Sequence, residues 1–76
     1  MNDLLEILQD LHPEVDFEKQ ENLVDEGILD SFDIVTIVTE VSDTFDIRIP
    51  AGDIIPENFN SAKAIYRLIQ RCMDEE

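Results

Sequence analysis

With 76 residues the chain has room for one domain and for no deep substrate cleft inside its core. A formal net charge of −14, from 19 acidic against 5 basic residues, repels nucleic acid and anionic membranes and points to protein partners with basic patches. The chain is 43% hydrophobic, a globular composition, and its one cysteine, Cys72, excludes an internal disulfide.

Taken in chain order, the first predicted element is a helix capped by Asn2, with Leu4, Leu5, Leu8 and Leu11 at helical spacing and Pro13 as its stop. His12, the single histidine, stands at that helix end. It has no nucleophile or metal ligand beside it in sequence, which makes it a solvent-facing or capping residue. From Glu14 to Asp30 no clean period exists, and a long ordered loop is predicted, pinned by Val15, Phe17, Leu23, Val24, Ile28 and Leu29. So long a loop in so small a domain is a mark of function. The second helix should run from Ser31 to Phe45. Phe32, Val35, Val38, Val41 and Phe45 form its inward stripe, flanked by Ile34 and Ile37. Its β-branched residues would also suit a strand, but its length and its three-four spacing favour helix. The stretch from Asp46 to Pro50 ends it. A short helical turn over Ala51 to Ile55, closed by Pro56, precedes a last helix from Asn60 or Ser61 to Cys72. That helix turns Ala62, Ile65, Leu68 and Ile69 inward, with Tyr66 at the edge. Lys63, Arg67 and Arg71 share its outer face, where positive charge near the C-terminus complements the helix dipole. These elements give an all-α fold of three main helices and one short one, in a single domain spanning 1–76.

The chemistry concentrates at Asp30-Ser31. Asp30 is a good N-cap and Asp33, three residues on, completes a capping box. With Asp30 capping, the Ser31 hydroxyl is released and stands in the first turn behind the loop. A phosphate attached there would meet the open N–H groups of the helix head, which favour an anion. An Asp-Ser pair alone is better read as a cap with a second capping residue, so the charge around it must carry the case. No Lys or Arg occurs between Lys19 and Arg48, while Glu21, Asp25, Glu26, Asp30, Asp33, Glu40, Asp43 and Asp46 all fall there. Asp33 and Glu40 share a helix face, with Thr36 between them and Asp43 adjacent. Surface charge is usually a solvated face, but here no basic partner lies three or four residues away to offset the repulsion. A docking strip for a basic protein accounts for that cost.

Other sites do not fit. An EF-hand counted from Asp25 would place Asp30 at the glycine position and Thr36 at the final glutamate position. No glycine-rich phosphate loop exists, no pair of carboxylates can be singled out for acid–base work, and Cys72 reads as an incidental thiol. No catalytic residue and no metal site are therefore expected. No run resembles a signal peptide or a membrane span, which gives a cytoplasmic expectation.

The run Asn22-Leu-Val-Asp-Glu-Gly-Ile-Leu-Asp-Ser-Phe-Asp33, followed by Ile-Val-Thr-Ile-Val-Thr-Glu and then by Phe45-Asp-Ile-Arg-Ile-Pro50, resembles the acyl carrier protein family, which includes peptidyl and D-alanyl carriers. The resemblance extends from about Leu23 to Ile69. It implies a four-helix bundle with a short third helix and no enzymatic activity of its own. It implies 4′-phosphopantetheine, transferred from coenzyme A onto Ser31, with Asp30 bordering the attachment site and Phe32 and Val35 near the arm. An acyl or aminoacyl group would travel on that arm as a thioester, in fatty acid, polyketide or nonribosomal peptide biosynthesis. The second helix becomes the recognition helix, with Asp33, Thr36, Glu40 and Asp43 meeting partners. Those partners would be a phosphopantetheinyl transferase, an acyl- or aminoacyl-activating ligase and a downstream acyl transferase or synthase, each served by a monomeric carrier. Gly27-Ile28-Leu29 before Asp30, and Phe32 after Ser31, look more like D-alanyl carriers, which serve teichoic acid modification, or discrete carriers of specialised pathways. The stretch from Gly52 to Glu57 also departs from the fatty-acid pattern. The remaining alternative is an unmodified acidic adaptor, which a buried or hydrogen-bonded Ser31 would favour.

Overall fold

A computed structural model describes residues 2–74. Four α-helices follow one another: α1 (Asn2–Leu11), α2 (Ser31–Phe45), α3 (Pro56–Phe59) and α4 (Ala62–Asp74), with a 3₁₀ turn at Ala51–Asp53 between α2 and α3. The described residues contain no strand. The fold is the all-α bundle that the sequence predicts, with a short third helix.

One apolar core holds the helices together. Leu4 and Leu8 of α1, Ile37 and Val41 of α2, Phe59 of α3 and Ile65, Leu68 and Ile69 of α4 are buried within it. The long loop contributes Phe17, Leu23 and Leu29, while Val15, Val24 and Ile28 pack partly against the same cluster. Among the described residues no buried one is polar or charged. Burial of apolar area is thus the main adhesive, at about 25 cal/mol per Å² removed from water.

The loop is ordered by its own turns. Gln20 donates its N–H to Asp16 O at 3.1 Å, Glu26 to Asn22 O at 2.8 Å and Leu29 to Leu23 O at 2.9 Å. Gly27 adopts φ +76°, the left-handed conformation that glycine takes without a Cβ penalty. Helix α2 ends where Asp46 turns left-handed, at φ 53° and ψ 51°, and returns its N–H to Ser42 O.

Four sequence expectations are corrected. Asn2 lies inside the first turn of α1 rather than ahead of it as a cap. Pro56 opens α3 instead of closing the preceding turn. Proline suits the first helical position because its missing N–H would have had no partner there. Helix α4 begins after Ser61, whose hydroxyl accepts the Ala64 N–H at 3.0 Å, and runs two residues past Cys72. On α2 the inward face is Ile34, Ile37, Val38, Val41 and Phe45, whereas Phe32 is 83% and Val35 63% exposed. The short α3 does not cover the first turn of α2, so two apolar residues placed on the inward stripe face outward.

Candidate functional site at the head of helix α2

The head of α2 is fixed by a complete capping box. Asp30 Oδ1 accepts the Asp33 N–H at 2.9 Å, and Asp33 Oδ2 accepts the Asp30 N–H at 3.2 Å. Two N–H groups left over by the start of the helix are thereby satisfied. Ser31, the next residue, is exposed. Among the described residues nothing hydrogen-bonds its hydroxyl, because Asp30 has taken the capping task. Ser31 and Phe32 also keep their backbone N–H groups open at the positive end of the helix dipole. An oxygen ester of phosphoric acid at Ser31 fits this place: the hydroxyl is reachable, and open donors point toward where an anion would sit.

Beside Ser31 runs an open groove of about 490 Å³, bordered by Val24, Leu29, Ile34, Val35, Ile54 and Pro56. Ile54, Ile55, Val35 and Phe32 are the large apolar residues exposed around it. Ile54 and Ile55 were not singled out in the sequence, where they fell within the short helical turn predicted over Ala51 to Ile55. They matter here because the groove gives a chain attached at Ser31 an apolar wall to lie along.

The acidic strip is present with one change. Thr36, Glu40 and Asp43 are exposed along α2, with the Thr36 hydroxyl donating to Phe32 O at 2.9 Å. Asp33 is held inward. Its carboxylate lies 2.9 Å from His12 Nε2, and its side chain is 18% exposed. This corrects the reading of His12 as a solvent-facing or capping residue and of the strip as wholly uncompensated. On its other side His12 Nδ1 reaches Glu14 Oε1 at 3.2 Å. The Asp33 hydrogen bond, opposed by burial and helped by Glu14, holds the His12 pKa above its ordinary 6.5. For Asp33, burial pushes upward, but the His12 and Asp30 hydrogen bonds together outweigh it and lower the carboxyl. The Glu14 pKa is lowered by its own backbone N–H and then by His12.

A second unforeseen anchor is Asn60. Its Oδ1 accepts the N–H of Val24 at 2.9 Å and of Asp25 at 3.2 Å, while its backbone carbonyl accepts the Leu23 N–H at 2.8 Å. The loop leading to Ser31 is thus tied to the junction of α3 and α4. Neither anchor had a local signal, since the partners lie 21 and 36 residues apart.

Among the described residues no three His, Cys, Asp or Glu side chains gather as a metal site, and no helix is long and apolar enough to cross a membrane. Cys72 is buried on the inward face of α4. Lys63, Arg67 and Arg71 are exposed on its outer face, and Arg71 pairs with Asp53 at 3.2 Å.

Residues 2–69 match the family model described as the phosphopantetheine attachment site. A D-alanyl carrier protein of Streptococcus sanguinis is 34% identical over 64 residues, 83% of this chain and 81% of that protein. That of Streptococcus gordonii has the same identity and coverage. That of Lactococcus lactis subsp. cremoris is 35% identical over 54 residues, 71% of this chain and 68% of that protein. No solved structure matches the chain.

Proposed function

This chain belongs to the phosphopantetheine-attachment family of carrier proteins, and we propose that Ser31 is its attachment residue and that a D-alanyl group is its cargo. As a carrier it works with 4′-phosphopantetheine covalently attached. The bound arm supplies a terminal thiol on which an acyl group is held as a thioester.

The observation that carries the Ser31 assignment is its exposed hydroxyl, relieved of capping by Asp30 at the head of α2. Asp30 and Asp33 hold the helix start in one geometry. Phe32 and Val35 offer apolar surface beside the arm, and Glu40 and Asp43, with Thr36 between the strip's carboxylates, face a basic partner. Such a surface favours brief, steered encounters over tight ones, which suits a protein that must meet several enzymes in turn. The chain's own part is presentation, and the acid, base and nucleophile come from its partners. Phosphopantetheinyl transferases and activating ligases are the general partners of carriers, and they are proposed as the partners here.

The D-alanyl reading is supported by the relatives' names and by Gly27-Ile28-Leu29 and Phe32 around Asp30-Ser31. A core in which Ile37, Val41, Phe59 and Ile69 have no exposure also suits a cargo too short to need an interior tunnel.

Incubation with coenzyme A and a broad-specificity phosphopantetheinyl transferase should add one phosphopantetheine by intact mass, abolished in Ser31→Ala. Folded protein that gains no mass moves the reading to an unmodified adaptor. The modified chain should then accept D-alanine from an ATP-dependent D-alanine ligase in preference to L-alanine or a fatty acid. Equal loading of a fatty acid by its own ligase would refute the cargo assignment and keep the carrier.

A further inference from the structure

Both ring nitrogens of His12 face carboxylates, Asp33 at 2.9 Å and Glu14 at 3.2 Å. A neutral imidazole has one N–H and can donate to one of them, whereas an imidazolium donates to both. The ring sits just past the C-terminus of α1, where its backbone N–H reaches Leu8 O at 2.9 Å, and the negative end of that helix favours a cation. The other charged groups nearby are acidic. Asp10 of α1 and Glu40 of α2 border the adjoining groove with Ile7, Leu11 and Thr36, and Asp30 is bonded to Asp33 through its N–H. No Lys or Arg lies between residues 19 and 48 to compete for these carboxylates.

We infer that His12 is a pH-dependent charge mask on the docking strip: as an imidazolium it neutralises Asp33 and weakens the pull of α2 on basic partners, and on losing its proton it returns one negative charge to the strip. The inference rests on α2 being the face that partner enzymes meet. Of the strip's three carboxylates, Asp33, Glu40 and Asp43, only Asp33 is masked. The hydrogen bond to Asp33 raises the point at which the mask comes off above that of an ordinary histidine. After deprotonation the ring still donates one N–H, so α1 and α2 stay joined while the charge changes. A mask therefore alters encounter rates and leaves the bundle intact.

The chain has one histidine, so its imidazole resonances report on His12 without ambiguity. The NMR titration midpoint is expected above the 6.5 of an ordinary histidine side chain and should fall in Asp33→Asn. The rate of Ser31 modification by a phosphopantetheinyl transferase with coenzyme A is then measured from mildly acidic to mildly alkaline pH. Wild type is compared with His12→Gln, and with His12→Asn as a second neutral variant, each checked for fold by circular dichroism. Dividing the rates at each pH cancels the transferase's own titration. The wild-type to variant ratio should be near one above the His12 midpoint and fall about two- to fivefold below it at low salt, with a smaller step at high salt. A ratio that stays flat with pH overturns the mask, as does a His12 midpoint that Asp33→Asn leaves in place. Absence of modification in folded wild type at every pH overturns the Ser31 reading instead, and the titration then decides the His12–Asp33 pairing by itself.

Discussion

Replacing Asn60 by alanine isolates the tie between the loop and the α3–α4 junction. Three backbone N–H groups converge on this residue, and the substitution removes the acceptor of two of them. The Leu23 N–H bonds to the main-chain carbonyl of Asn60 at 2.8 Å and keeps its partner. The Val24 N–H, part-buried and 2.9 Å from Oδ1, loses its acceptor, and the Asp25 N–H at 3.2 Å is exposed, so water can take over there. A donor left unpaired in a partly buried place costs about 1–2 kcal/mol, and the exposed one adds little. For a domain of this size that corresponds to a fall in melting temperature of roughly 4–16 °C. Urea unfolding followed by circular dichroism gives the free energy, and amide exchange gives the location. The Val24 amide should lose protection beyond the global change while the Leu23 amide follows it. An Asn60→Ala chain within about 0.5 kcal/mol of wild type, or one whose Val24 and Leu23 amides respond alike, would refute the view that this side chain positions the loop.

Asp30→Ala should cost about 1 kcal/mol by removing the cap of α2, and it should slow modification of Ser31 by loosening the turn that presents it; urea midpoints and transferase rates measure the two effects. Phe32→Ala should change stability by less than about 0.5 kcal/mol, whereas Ile37→Ala should cost roughly 2–4 kcal/mol, because only the second empties space in the core; thermal unfolding of the pair checks the assignment of the inward face. Asp46→Gly should stabilise by about 0.5–1 kcal/mol, since glycine takes the left-handed C-cap without strain and a carboxylate leaves the negative end of α2; the urea midpoint reads it. The His12–Asp33 pair gives stability a pH window. The raised His12 contributes fully below its unfolded value of 6.5 and loses that contribution as pH climbs through the higher folded value. The lowered Asp33 contributes above 3.8 and loses it as pH falls through its folded value. The stability gap between wild type and His12→Gln should therefore be widest between those two ordinary values, on the order of 1 kcal/mol or less, and should shrink in alkaline buffer; denaturation across pH tests this.

What the sequence discloses here is whatever is local. Helix α2 was legible to the residue because its start is a capping box four residues long, Asp30 to Asp33, and its end is a break from Asp46 to Pro50. The inward residues of α4 were legible because charged residues occupy its outer face and leave one apolar stripe. At the first turn of α2 the pattern misled, since Phe32, Ile34 and Val35 are all apolar and periodicity cannot choose between two apolar faces. The choice depends on how far α3 reaches, and α3 is four residues long. Pro56 misled for a related reason, because proline ends one helix and begins another with equal ease. His12 and Asn60 were out of reach altogether. Their partners are distant in sequence, and nothing in a histidine beside a proline, or an asparagine before a serine, names them.

Those two side chains converge on one place. His12 and Asn60 make hydrogen bonds between residues more than twenty positions apart, and both fasten the stretch from Val24 to Asp33 that contains Ser31. An apolar core can hold four helices together, but its contacts are non-directional and fix orientation poorly. Directional bonds stand where orientation counts, at the head of the helix that carries the proposed attachment residue, Ser31. Phe32 and Val35 are exposed in the same first two turns of α2, and apolar side chains left uncovered there suit a surface that meets a partner. Rigid backbone beneath, open hydroxyl above and unbalanced negative charge alongside together favour presentation over catalysis as the work of this chain.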